Sequence, residues 1–215
     1  MTVIALLTTD GGTKWRGWVD ATIPGGSANS LYTWGDASPS LGQNALVYRS
    51  SAVQVGASTN WATISSDGTQ FLAVKTDGTL WAWGSNSRGA LGLGDTTNRS
   101  SPVQVGALTN WSKVDNGNDN SSFAIKTDGT LWSWGYNTWG TLGLNNTTDY
   151  SSPKQVGALT TWAKLGCGYK NGRAIKTDGT LWNWGRNGYG TLGLNNVTPT
   201  SSPFPVFASP FCVPP

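Results

Sequence analysis

Apolar and polar positions alternate with a period of two over short runs of this chain. Leu80, Ala82 and Gly84 interleave with Trp81 and Trp83, and the run stops at Ser85, Asn86 and Ser87. A period of two sends successive side chains to opposite faces of a strand, whereas an amphipathic helix repeats its apolar positions at three and four. The dipeptides Asp77-Gly78, Asp128-Gly129 and Asp178-Gly179 each join two such runs, and Asp-Gly supplies the positive φ of a tight hairpin. Residues 61–64, 71–75, 80–83 and 103–105 are therefore expected to form four short strands.

The same pattern recurs along the chain. Trp-Gly pairs begin at Trp34, Trp83, Trp134 and Trp184, spaced 49, 51 and 50 residues apart. A second marker, Trp15, Trp61, Trp111 and Trp162, precedes each pair, and Ser101-Pro102, Ser152-Pro153 and Ser202-Pro203 follow the last three. The repeats run over about 13–57, 58–107, 108–158 and 159–208, with a Pro-rich tail at 209–215, all within a single domain of 1–215. A four-stranded antiparallel unit repeated at this spacing is the blade of a β-propeller. The expected fold is all-β, with four blades forming a small ring or part of a larger one. Val3 to Leu7 reads as the outer strand of a preceding blade, which either closes the ring against the last repeat or stays an edge.

The Lys-Thr-Asp-Gly-Thr-Leu-Trp-x-Trp-Gly run at 75–84, 126–135 and 176–185 continues through Asn, Gly and Leu-Gly-Leu to Ser-Pro. This motif resembles the regulator of chromosome condensation type of propeller repeat, strongly over 58–208 and weakly over 13–57. Two features depart from that family. Its usual histidine before the Asp-Gly hairpin is replaced by Gly68-Thr69-Gln70, Gly117-Asn118-Asp119 and Gly168-Tyr169-Lys170. Its best-known members close seven blades, against four repeats here. The resemblance implies an interaction protein, and guanine-nucleotide exchange is the activity of its best-known member.

Composition narrows the chemistry. The chain of 215 residues has no histidine, and all 11 of its acidic residues are aspartate. Histidine-dependent nucleophile and metal sites are thereby removed, and no enzyme activity, cofactor or metal is expected. The net charge of +3 is spread without a basic cluster, so no nucleic-acid footprint is expected. Val3 to Leu7 is too short for a membrane span or signal peptide. Cys167 and Cys212 read as two reduced thiols, with one disulfide as the alternative.

Most repeated residues read as frame. The pairs Trp81/Trp83, Trp132/Trp134 and Trp182/Trp184 are expected in blade-to-blade packing, Asp77, Asp128 and Asp178 in turns, and Lys75, Lys126 and Lys176 at solvated strand ends. Variation concentrates in the loop after each Trp-Gly, where Arg88, Tyr136, Trp139, Arg186 and Tyr189 are the binding candidates. Arg, Trp and Tyr are the residue types enriched at interface hot spots. Phe207 and Phe211 are candidates for attachment to a larger assembly. These features lead to a structural protein displayed on a bacteriophage virion surface, partnered by other virion or structural proteins, with oligomers allowed. A glycan-binding or adhesive module at a cell surface or outside the cell is the alternative, and an exchange-factor role ranks below both.

Overall fold

The computed structural model describes residues 4–6, 19–20, 29–35, 41–44 and 49–206. Among them the chain contains strands and turns and no helix. The first sheet holds β1 (Ile4–Leu6), β2 (Val19–Asp20), β3 (Leu31–Gly35) and β4 (Arg49–Gln54). The second holds β5 (Trp61–Ser66), β6 (Gln70–Lys75), β7 (Leu80–Gly84) and β8 (Arg99–Gln104). The third holds β9 (Trp111–Gly117), β10 (Ser121–Lys126), β11 (Leu131–Gly135) and β12 (Tyr150–Gln155). The fourth holds β13 (Trp162–Leu165), β14 (Asn171–Lys176), β15 (Leu181–Gly185) and β16 (Thr200–Pro205). In the last three sheets the strands pair antiparallel in chain order.

The first sheet is ordered β2-β1-β3-β4, with β1 parallel to β3. This corrects the reading of Val3 to Leu7 as the outer strand of a neighbouring blade: Ile4–Leu6 sits inside the first sheet. The cause lies in the worn first repeat, which lacks the Asp-Gly hairpin and has Pro24, Gly25 and Gly26 where a second strand would run. The second position in the sheet is taken instead by Ile4–Leu6.

The period-two pattern gives each blade two apolar faces. In the second sheet, Phe71, Ala73, Trp81 and Trp83 share one side, the Trp face, and Leu72, Val74, Leu80 and Ala82 share the other, the Leu face. The Leu face of the second sheet, extended by Leu91 and Val105, packs on Trp111, Val114, Ala124 and Trp134 of the third. Phe123, Ile125, Leu131, Leu142 and Val156 of the third pack in turn on Trp162, Ala174 and Trp184 of the fourth. Leu31 and Val55 of the first meet Trp61, Phe71 and Trp83 of the second. Trp83, Trp134 and Trp184 are 0% exposed, as expected for blade-to-blade packing. Two of them also bond across the junction: Trp134 Nε1 donates to the Ala90 carbonyl at 2.9 Å and Trp184 Nε1 to that of Thr141 at 2.7 Å.

Backbone seams run beside this packing. The amides of Asn44, Gly94 and Asn145 donate to the carbonyls of Ser100, Ser151 and Ser201, each in the next sheet, at 2.7–3.0 Å. Among the described residues the four sheets form an open arc that does not close into a ring.

Candidate functional site

The hairpins show what the repeated Asp-Gly-Thr-Leu-Trp run is for. Asp128 Oδ1 accepts the amide of Thr130 at 2.9 Å and its hydroxyl at 2.6 Å, and Thr130 Oγ1 accepts Trp132 Nε1 at 2.9 Å. The same relay links Asp77, Thr79 and Trp81, and Asp178, Thr180 and Trp182. The threonine hydrogen bonds hold all three carboxyls below the usual aspartate range.

The three lysines are not solvated strand ends. Lys126 is 7% exposed, with Nζ 3.7 Å from the Trp132 ring centre and 4.8 Å from that of Trp111. Lys75 and Lys176 lie over the same positions, 4.0 Å from Trp81 and 3.6 Å from Trp182. Cross-strand pairing brings them there, since Trp61 pairs with Lys75 and Trp162 with Lys176 beside a register shift. The ammonium is attracted by two ring faces, and burial pulls the Lys126 pKa down. Trp81, Trp132 and Trp182 are half-buried and sit edge-on to Trp61, Trp111 and Trp162 in their own sheets. Both tryptophans of each pair thus take part in blade-to-blade packing, the inner one fully buried and the outer one packed half-buried against the same junction cluster.

The variable loops stand on a buried brace. Asn137 is fully buried; its Nδ2 donates to the Asn146 carbonyl, Asn146 Oδ1 and the Thr148 carbonyl at 3.0–3.1 Å, while Oδ1 accepts the Leu142 amide at 2.9 Å. Asn86 and Asn187 make the equivalent bonds in their loops. These asparagines recur at one position of every strong repeat, a signal visible in the sequence but not singled out there.

On this brace the five loop candidates come together in two groups. The Arg88 guanidinium lies 5.1 Å from the Tyr136 ring centre and 3.8 Å from Asp149 Oδ2, both in the next loop. Arg186 lies between two rings, 5.2 Å from Trp139 and 5.6 Å from Tyr189. Arg186 is thus flanked by rings of its own and the preceding loop, whereas Arg88 has a ring and a carboxylate of the following one. Trp139 is 37% and Tyr189 84% exposed. The result is an arginine and aromatic band over three consecutive blades, offering flat apolar faces beside N–H donors. Phe207 and Phe211 lie outside the described residues, as do Trp15 and Cys212.

A second polar cluster lies on the turns between the first two strands of each blade. Asp119 is 7% exposed, and burial pushes its carboxyl up to about 6, against a hydrogen bond from Ser121 and the charge of Lys170. Asp115 accepts Ser65 Oγ at 3.0 Å and the Cys167 amide at 2.7 Å. Among the described residues no group of three His, Cys, Asp or Glu is placed to hold a metal ion.

Four sheets stacked face to face about a common arc, each of the last three entered through an Asp-Gly hairpin and a Trp-Gly strand, define a repeat protein of the β-propeller class. The sequence profile described as the Regulator of chromosome condensation (RCC1) repeat matches residues 77–124, 128–173 and 178–213. The chain belongs to that family. It is 31% identical to the Ultraviolet-B receptor UVR8 of Arabidopsis thaliana over 104 residues, covering 46% of this chain and 23% of the receptor. It is 34% identical to Protein RCC2 of Homo sapiens over 87 residues, covering 40% of this chain and 17% of RCC2. In fold it is similar to human WBSCR16, with a TM-score of 0.72 and 21% identity over 84% of this chain and 49% of that one. Prp20p of Saccharomyces cerevisiae gives a TM-score of 0.71 and 17% identity, covering 83% of this chain and 46% of that one.

Proposed function

We propose that this chain is a non-enzymatic binding module that holds a protein partner through the arginine and aromatic band. The observation that carries the reading is Arg186 set between Trp139 and the exposed Tyr189, on loops fixed from beneath by Asn137 and Asn187. Loops on a rigid scaffold are where binding residues concentrate. A guanidinium flanked by rings is pre-oriented, so less side-chain entropy is lost when it meets a carboxylate or carbonyl. Prp20p, which is similar in fold, has binding properties to Gsp1p and histones, and a protein partner for this chain agrees with that.

In its finer form the reading places the module on a bacteriophage particle, in contact with other virion proteins. Its support is the Asn-, Thr- and Ser-rich surface of the loops. The test is retention on purified particles, followed by proteomics of the washed fraction. Retention that falls at least tenfold in a Trp139→Ala, Arg186→Ala, Tyr189→Ala variant of unchanged stability supports the reading. A chain absent from particles removes the virion form, and partner binding unmoved by the triple substitution removes the band.

A second reading, glycan binding, is favoured by the exposed ring of Tyr189 beside Trp139, because flat aromatic faces suit sugar stacking. It requires retention on an immobilised polysaccharide that weakens in the Trp139→Ala, Tyr189→Ala variant.

A further inference from the structure

Two grooves open between consecutive sheets, and none of the five loop candidates lines either. One, of about 350 Å³, lies between the second and third sheets, with walls that include Leu93, Val105, Leu108, Trp132, Ser152 and Pro153. The other, of about 410 Å³, lies between the third and fourth and has the counterparts Leu144, Val156, Leu159, Trp182, Ser202 and Pro203. Both volumes fall in the range of small-ligand pockets. We propose that each groove seats prolines of an extended proline-rich segment of a partner protein.

The walls hold repeated residues that the fold does not require. Leu108 and Leu159 are 49% and 45% exposed. Ser58 takes the same position three residues before Trp61, so the frame tolerates a small polar side chain there. The groove indoles are fixed. Trp132 and Trp182 donate Nε1 to Thr130 and Thr180 at 2.9 Å, and Lys126 and Lys176 lie 3.7 and 3.6 Å over their rings. Pro153 and Pro203 add rings whose φ is locked. Walls that are already immobile lose little side-chain entropy when a ligand fills the groove.

The chemistry of the lining selects the occupant. No charged side chain lines either groove, which leaves an acidic or basic segment without a counter-ion. Beyond serine, each groove has one glutamine, Gln104 or Gln155, and the second adds Asn145. These are too few partners for the many hydroxyls of a sugar, each of which is costly to desolvate unpaired. An added peptide strand has no continuous edge to join. The strands β8, β12 and β16 lie at sheet edges, and Pro102, Pro153 and Pro203 interrupt their rows of amides. A polyproline II segment needs no such row, because its backbone stays hydrated and its rings dock in aromatic-lined grooves.

Fluorescein-labelled deca-proline is the probe, with a Gly-Ser decamer and maltoheptaose as controls. Fluorescence anisotropy should show saturable binding of deca-proline and none of the Gly-Ser decamer. Deca-proline should also shift the indole N–H resonances of Trp132 and Trp182. Leu108→Ser with Leu159→Ser, which copies Ser58 of the first junction, should weaken binding about tenfold with an unchanged thermal transition. Trp139→Ala with Tyr189→Ala should leave it unchanged, so the grooves and the loop band stand or fall separately. No saturable binding of deca-proline overturns the proposal, as does binding that survives both serine substitutions. Maltoheptaose that shifts the same two indoles in place of deca-proline overturns it in favour of a glycan.

Discussion

Trp134 shows at the scale of one residue how a junction is held. Its indole is fully buried in the seam between the second and third sheets, and its nitrogen has one acceptor, the Ala90 carbonyl. Trp134→Ala removes a large buried surface and leaves that carbonyl shared with Ser122 alone, so it should cost about 3–5 kcal/mol of stability. Trp132→Ala, at the half-exposed partner, should cost clearly less, and urea denaturation of the two variants orders them. Asp119 governs the pH response. With its carboxyl pushed up to about 6 by burial, the folded chain keeps a proton that the unfolded chain releases near the ordinary value of 3.8. Folding therefore binds a proton between those values, and this group's contribution to stability falls as pH rises through that window. Asp77, Asp128 and Asp178 act with the opposite sign and below it, because their carboxyls are lowered and their contribution is lost as pH falls through the lowered values. Asp119→Asn should thus gain stability over the parent chain progressively from about pH 4 to about pH 7. A stability difference independent of pH over that range would contradict the assignment.

A loop behaves as an element here because one asparagine closes it. Asn137→Ala strands the Leu142 amide and the carbonyls of Asn146 and Thr148, and an unsatisfied buried group costs about 1–3 kcal/mol. The variant should lose on the order of 3 kcal/mol, cleave faster within 138–149 under limited proteolysis, and weaken partner binding although Asn137 touches no partner. Unchanged proteolysis would show the loop to be held by other bonds. The hairpins were legible from sequence because Asp-Gly dictates a local conformation, and the buried tryptophans because alternation assigns each strand residue a face. The roles of Lys75, Lys126 and Lys176 were not legible. They depend on which residue faces them across a neighbouring strand, and a register shift beside Trp61 and Trp162 decides it. The place of Ile4–Leu6 was hidden for the same reason, since its parallel partner β3 is far along the chain. The loop candidates were found as variation against a constant frame, but their grouping around two guanidinium ions needed the spacing between blades.

The described sheets form a one-dimensional stack in which each is stabilised by the sheet or sheets next to it. The second and third sheets have both faces covered, since Leu80, Leu131, Trp83 and Trp134 are all 0% exposed. The fourth has its Trp face covered by the third, with Trp184 at 0%, while Leu181 and Phe204 on its other face are exposed at 36% and 48%. Local opening is easiest where few apolar contacts must be broken. Amide hydrogen exchange in β15 should therefore be faster than in β7 and β11, although the three strands share the Leu-Trp-x-Trp-Gly sequence and the same hairpin hydrogen bonds. Sequence and local bonding are matched, so any gradient reports face coverage alone. Equal protection of the three strands at high dilution would mean that neighbours contribute little, and the stability of each blade would then have to come from its own hairpin.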